Sequence, residues 1–506
     1  MQQSFKYLSL LSVLGLFVTQ ISLAAPTILE LKTTTVKVNG KTKQVYMIEQ
    51  PNGTWGYYGT KGQYFDATVK NEIDVPSVIH WHGLILPNDQ DGVPVITQPV
   101  IPAGGEYHYH YKLQQAGTYF MHSHVGFQHQ EFMAAPYIIE DPNDPYKSDQ
   151  EVVVMFQDFS FTNPKVIFQQ LKDNYPTPGL TDPNSMPTMD KKTMQGMHMD
   201  DMPMQVSDAD MKSTDKMSMG KKPKDTMPMM MSGKMDLNDV DYDAFLTNYR
   251  TLQDPQIVTV KPGSIVRLRF IDSGAGSNFW IKLDKLKGEA IAMDGRNIKP
   301  LPGNKFQIAM AQRLDVLVEI PKNGGAFPIL GQVEGTKRQT GLILVTPGAK
   351  VPQVSETAES VAPPLNYDQE WKMKSLDPIP ARPIQKIVTL NLTGTMNGYI
   401  WKINGQTWPH IKPIRLKQGE RVELVMNNNS NMAHPIHLHG NFFELTSING
   451  KKIVDGPLHD TFLVMPHTQA TFILDMQMPG KWLLHCHMLY HMASGMMTLV
   501  IVEPNH

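Results

Sequence analysis

One run near the C-terminus concentrates side chains that bind metals: His485-Cys486-His487-Met488-Leu489-Tyr490-His491-Met492-Ala493-Ser494-Gly495-Met496. Cys486 is the only cysteine of the chain, which excludes an intrachain disulfide. A thiolate, an imidazole and a distant thioether, completed by a second imidazole from elsewhere, form the ligand set of a blue-copper electron-transfer site. The preceding Gly480-Lys481-Trp482-Leu483-Leu484 reads as a buried strand, in which successive side chains point to opposite faces. His485 and His487 therefore face one way and Cys486 the other. Metals on both faces would be connected through the backbone of one residue. A core cysteine beside incidental histidines is the plainer alternative; the other histidine clusters of the chain argue against it.

Those clusters come as repeats. His80-Trp81-His82-Gly83 recurs as His437-Leu438-His439-Gly440, and His122-Ser123-His124 recurs as His485-Cys486-His487, each after a glycine-led apolar stretch. The paired motifs are separated by 42 residues near the N-terminus and 48 near the C-terminus. Two similar domains at the chain ends, each giving four histidines, are the simplest explanation. A lone His-x-His pair is weak evidence for a metal. Four pairs are strong, and eight imidazoles are too many for one ion.

The elements that position these motifs read as strands. Gly263-Ser264-Ile265-Val266-Arg267-Leu268-Arg269-Phe270 resembles Gly419-Glu420-Arg421-Val422-Glu423-Leu424-Val425. Both alternate apolar and polar residues after a glycine turn, as half-buried antiparallel strands do. Long helical periodicity is absent, so the expected class is all-β with three sandwich domains. The first covers 25–145, closing at Asp141-Pro142-Asn143-Asp144-Pro145. The second covers 146–346, a linker rich in Pro, Ala, Ser and Glu covers 347–366, and the third covers 367–506. Within the second, 186–235 carries fifteen methionines among Lys, Asp, Ser, Pro and Gly. Such a segment buries too little apolar surface to offset its ordering entropy, so a disordered insertion is expected. Thioethers suit Cu(I), which makes transient Cu(I) capture the expected role and an inert linker the alternative.

The C-terminal run resembles the signature of the multicopper oxidases, H-C-H-x-x-x-H-x-x-x-x-M, at every ligand position. The resemblance implies three cupredoxin-like Greek-key domains and four copper ions: one type 1, one type 2 and two type 3. His434, in His434-Pro435-Ile436-His437-Leu438-His439-Gly440, would supply the missing imidazole and join Cys486 and His491 at the type 1 copper, with Met496 as weak axial ligand. His80 and His437 would bind the type 2 copper. His82, His122, His124, His439, His485 and His487 would bind the type 3 pair between the first and third domains. A substrate electron would enter at the type 1 site and pass through Cys486 to its neighbours, where dioxygen is reduced to water. Asp91, nine residues after His82, matches the acid of related oxidases and would serve proton delivery; a turn aspartate before glycine is the alternative. Met492 stands where several bacterial relatives carry a glutamate, which leaves the second proton route unassigned. Met432, two residues before His434, is a candidate contact for substrate Cu(I), with packing as its alternative. His80 to Pro87, Asp91 to Pro94, His122 to Gln128 and His485 to Met492 look like the copper-resistance subgroup, periplasmic oxidases with methionine-rich inserts. His108, His110, His129, His198, His410, His459, His467 and His506 are expected to be surface or structural histidines.

A chain of 506 residues is too long for one core, and its net charge of −2 offers no case for nucleic acid or an anionic membrane as partner. Lys6, the apolar stretch Leu8 to Leu23 and the small residues around Ala24 read as a signal peptide over 1–24, with a retained anchor as the alternative. The expected location is the periplasm or outside the cell. The expected reaction couples one-electron oxidation of Cu(I), and of Fe(II) or phenols, to reduction of dioxygen, in copper tolerance or metal homeostasis and as a monomer. The rivals are a non-catalytic copper-sequestering protein using the methionine-rich segment and a cupredoxin that has lost its metals. A copper nitrite reductase needs fewer His-x-His pairs than the chain carries.

Overall fold

The computed structural model describes residues 26–174 and 237–505, so the expected signal peptide and the methionine-rich stretch 186–235 lie outside the described residues. The described chain forms three β-sandwiches in sequence order. The first joins two four-stranded sheets, the second a six- and a five-stranded sheet, and the third a seven- and a five-stranded sheet.

The same pairings recur in all three. The opening strand lies parallel to a later one: Thr27–Val38 with Tyr64–Asn71, Gln150–Phe159 with Ile265–Asp272, and Lys386–Thr395 with Arg421–Asn428. A short edge strand lies parallel to the closing one: Tyr57–Thr60 with Ala134–Glu140, Ile257–Thr259 with Gln339–Val345, and Ile414–Lys417 with Met497–Glu503. Parallel neighbours cannot be joined by a tight hairpin, so the chain must cross between sheets, as Greek-key cupredoxin sandwiches do. Alternation drives each strand into place. Along Tyr64–Asn71, Phe65, Ala67 and Val69 enter the core while the intervening residues meet solvent. Each sandwich has its own apolar core, centred on Phe65 and Trp81, on Phe270 and Phe279, and on Trp401 and Trp482.

Two features depart from the sequence reading. Strand Ile265–Asp272 is buried on both faces rather than half-buried. Its polar face abuts the first sandwich, where Arg267 and Arg269 share Asp315 and reach Asp144 and Glu151, and Arg269 donates to the Thr118 hydroxyl. Ion pairing lets that arginine stripe be buried. An unforeseen helix, Pro164–Asn174, precedes the methionine-rich stretch. Its Ile167 and Leu171 enter the core of the third sandwich, so its apolar residues are matched to a partner far along the chain.

Candidate copper centres

Strand pairing assembles the histidines. Ile79–His82 runs antiparallel to Gly117–Ser123 with His80 opposite His122. His434–Leu438 runs antiparallel to Gly480–Cys486 with His437 opposite His485 and Ile436 opposite Cys486. Residues two apart share a face, so each His-x-His pair presents two rings to one side. The two strand pairs, from opposite ends of the chain, then meet ring to ring: His80 stacks on His439 at 3.8 Å and His82 on His437 at 3.7 Å. Seven of the eight rings are buried and His124 is half-buried.

Their nitrogens converge in sets. His80, His82 and His437 form one, His82, His122 and His487 a second, and His80, His124 and His439 a third, with ligand atoms in each set within 4.8 Å of one another. The Nε2 atoms of His439 and His485 lie 3.1 Å apart, and those of His122 and His487 3.4 Å apart. Two metal–nitrogen bonds of about 2.0 Å at an open angle span such a gap. His80 Nε2, His437 Nε2, His82 Nδ1 and His124 Nε2 are buried without a hydrogen-bond partner among the described residues. Leaving a buried polar nitrogen unpaired costs about 1–3 kcal/mol, which a bound cation removes. Burial, reinforced by repulsion among the rings, holds His82, His122, His124, His437, His439 and His487 far below the ordinary histidine range, and burial pulls His485 down to about 4. These seven rings are therefore neutral at pH 7 and offer lone pairs. The donor set fits copper.

The outward nitrogens are fixed by oxygen acceptors, which sets the ring orientation. His80 Nδ1 donates to the Asp91 carbonyl (2.8 Å) and His437 Nδ1 to the Asp460 carbonyl (2.9 Å). His439 Nδ1 lies 2.9 Å from Asp91 Oδ2, and His82 Nε2 lies 3.1 Å from Asp460 Oδ1. Asp91 is fully buried, and burial raises its carboxyl against the opposing pull of His80. Asp460 is clamped by the buried Arg313 guanidinium, which also donates to the Ala311 and Thr118 carbonyls. This explains the glycine that closes His80-Trp81-His82-Gly83. At φ +85° a Cβ on Gly83 would meet Arg313 Nη2 and Asp460 Oδ2 at 2.5 Å. The same place in the C-terminal motif, Gly440 at φ +66°, lies against the Trp482 ring, with 2.3 Å left for a Cβ.

On the other face of strand Gly480–Cys486, Cys486 Sγ lies 3.8 Å from His434 Nδ1 and 3.7 Å from His491 Nδ1, and these nitrogens are 3.2 Å apart. Sulfur and two Nδ1 atoms thus surround one point. His491 comes from the short helix Leu489–Ala493, which turns the chain back after the strand. Burial pushes the Cys486 thiol up, so the thiolate needs a bound cation to form there. Met496 is fully buried, and its carbonyl accepts from the Cys486 N–H at 3.0 Å. Ser430 Oγ lies 2.8 Å from His434 Nε2, and Trp401 stacks on His491 at 4.0 Å. Met432 is 1% exposed and belongs to the core of the third sandwich.

Besides Asp460 and Arg313, three further residues were given no role at these centres by the sequence reading. Asp239, three residues beyond the undescribed stretch, places Oδ2 3.0 Å from His491 Nε2 and accepts from the Tyr399 hydroxyl. No spacing rule marks it. His129 stacks on His122 at 4.6 Å and meets His487 edge-on at 5.5 Å, and its Nε2 has no partner among the described residues. Its position seven residues after His122 was the available signal. His459, expected to be a surface or structural histidine, is structural: it sits fully buried between Asp294 (3.0 Å) and Glu370 (3.1 Å), next to Asp460.

Comparison with known proteins defines the class. Three family models described as multicopper oxidase match residues 30–144, 151–346 and 381–506. The chain belongs to the multicopper oxidase family, and is a copper-dependent oxidoreductase with dioxygen as acceptor and type 1, 2 and 3 coppers as cofactors. It is 29% identical over 453 residues to multicopper oxidase MmcO of Mycobacterium tuberculosis, covering 87% of this chain and 79% of the relative. It is 28% identical over 562 residues to copper resistance protein A of Escherichia coli, covering 88% and 87%. The crystal structure of Fet3p, a multicopper oxidase that functions in iron import, superposes with a TM-score of 0.70 at 18% identity, covering 94% of this chain and 90% of that one.

Proposed function

We propose that the chain oxidises Cu(I) outside the cytoplasm, in copper tolerance, and that Fe(II) and electron-rich phenols serve as further donors. His434, Cys486, His491 and Met496 would hold the type 1 copper. His80 and His437 would hold the type 2 copper, and His82, His122, His124, His439, His485 and His487 the type 3 pair. Bound there, the coppers supply one-electron oxidation of the donor and the stored electrons that dioxygen needs. The protein's own share is placement and protons. Burial keeps His82, His122, His124, His434, His437, His439, His485 and His487 neutral, and Cys486 sits between His485 and His487 as the shortest covalent path between the two centres. Asp91 orients His80 and His439, and its Oδ1, buried without a hydrogen-bond partner among the described residues, is where a proton for oxygen reduction would be held. The burial of Met432 favours packing over substrate contact.

One observation carries the Cu(I) assignment: both described flanks of the methionine-rich stretch lie against the type 1 site. Before it, Phe168 stacks on Tyr490 at 6.2 Å, and after it Asp239 holds His491. The chain thus leaves for the methionine-rich stretch, and returns from it, beside the point of electron entry, and thioethers are the side chains that suit Cu(I). The names of the copper-resistance relatives agree with this reading. A signal peptide over 1–24 fits a periplasmic or secreted place, and no described helix is long and apolar enough to cross a membrane. The working division is domains at 25–145, 146–346 and 367–506 with a linker at 347–366, in a monomer.

Deleting 186–235 tests the assignment with Cu(I), Fe(II) and a phenol compared side by side. Blue colour and fold should persist, Cu(I) oxidation at low free copper should fall several-fold, and phenol oxidation should hold or rise. Proportional loss with all three donors, or no change with any, would remove the case for Cu(I).

A further inference from the structure

A second group of side chains of metal-ligand type lies on the outer face of the first sandwich, apart from the residues assigned above. Strands Tyr64–Asn71 and Glu106–Lys112 pair antiparallel, with Asp66 opposite His110 and Thr68 opposite His108. Their inward residues, Phe65 and Ala67 on one strand and Tyr109 and Tyr111 on the other, are buried in the core, so Asp66, His108 and His110 must project outward together. Glu106–Lys112 is the edge of its sheet, so the face is open on one side.

The geometry suits a single cation. His108 Nε2 lies 3.3 Å from Asp66 Oδ1, and His110 Nδ1 lies 3.7 Å from Asp66 Oδ2, with one ligand atom from each residue within 4.8 Å of the others. Ligands bonded at about 2.0–2.2 Å in a tetrahedral arrangement stand some 3.3–3.6 Å apart. Asp66 Oδ1 is shielded from solvent yet makes no hydrogen bond among the described residues, so the 3.3 Å approach is a juxtaposition of two potential ligand atoms. The rings are also held. Thr68 Oγ1 stands 3.3 Å from His108 Nδ1, which leaves Nε2 free for the Asp66 side, and Tyr64 stacks on His110 at 4.9 Å with 14° between the planes. An outer hydrogen bond of this kind is what orients metal-bound histidines.

We propose that Asp66, His108 and His110 form a surface site for a divalent, imidazole-preferring cation, Cu(II) or Zn(II), with a coordination position open to solvent. Two imidazoles and a carboxylate suit both ions, and the general affinity order places Cu(II) above Zn(II). The site is separate from the four resident coppers and independent of the identity of the electron donor. A plain ion-pair patch is the competing description, and at such exposure it would contribute little to stability.

The test uses the copper-loaded, blue protein. Equilibrium dialysis against Zn(II), followed by metal analysis, should find one saturable equivalent beyond the resident copper, displaced by a lower concentration of Cu(II). His108→Ala/His110→Ala should lose that equivalent, and Asp66→Asn should weaken it about tenfold or more. Blue absorbance and oxidase activity should be unchanged in both variants, since none of these residues touches the copper centres. Zn(II) uptake that is equal in wild type and both variants would place the ion elsewhere and overturn the proposal. Absence of a saturable equivalent in wild type would leave an ion-pair patch and overturn it too. A difference in uptake between wild type and variants supports it, whichever ion binds tighter.

Discussion

The mononuclear centre and the eight-histidine cluster meet at three consecutive residues, His485-Cys486-His487, yet they are assembled differently. Cys486 and His491 come from one strand–helix turn, and His434 comes from the adjacent paired strand of the same sandwich. The cluster draws half its rings from each end of the chain and exists only when the first and third sandwiches meet. Among the described residues the second sandwich gives neither centre a histidine, but it supplies the clamp. Arg313 holds Asp460, Asp460 holds His82 and His437, and Asp294 holds His459 beside them. A locally built site needs only its own sandwich to fold. One split across the chain needs its domains locked together, and here buried ion pairs form the lock.

Breaking the link between the centres should have the largest effect. Cys486→Ser should abolish the blue absorption and donor oxidation while the cluster keeps its copper, because the cluster ligands face the other way. Residual blue colour, or loss of every copper, would show that the centres are not separately built. Next is Asp91→Asn, expected to slow oxygen reduction by about a hundredfold with copper content and type 1 reduction nearly unchanged. Equal turnover across pH would leave Asp91 a turn residue.

The lock itself can be titrated. Burial disfavours the His459 imidazolium, but Glu370 and Asp294 outweigh it and push the group up to about 10. The unfolded value is about 6.5, so the stabilisation is fully present below that pH and is lost as pH rises through about 10. His459→Gln should cost about 3–5 kcal/mol near pH 6 and much less at pH 10. Melting temperatures of wild type and variant at the two pH values decide this; an equal loss at both would mean packing, not charge. The smallest effect is expected at the mononuclear centre. Asp239→Asn can keep a hydrogen bond to His491 while removing a charge, and should slow type 1 reduction tenfold or less with the blue band retained. A complete loss of colour would show that this centre, too, depends on distant residues for its integrity.

The convergence of the paired histidines, and of Cys486 on the opposite face, was legible in the sequence because it rests on local rules. Period-two alternation puts His485 and His487 opposite Cys486, and the repeated His-x-His-Gly motifs mark two equivalent strand pairs. The all-β class followed from the same alternation. The helix Pro164–Asn174 did not, because its apolar residues are matched to a core more than 200 residues away. Burial of Arg267 and Arg269 was hidden for a related reason: whether an alternating strand faces water or another domain depends on what packs there. Asp239, Arg313, Asp460 and the charged His459 belong wholly to the tertiary structure. Each acts through hydrogen bonds to residues far along the chain, and a contact of that kind leaves no period, spacing or composition in the sequence that makes it. Motif spacing and strand alternation marked the histidines and the cysteine that come together. The packing of three sandwiches decided which carboxylates and cations hold them still.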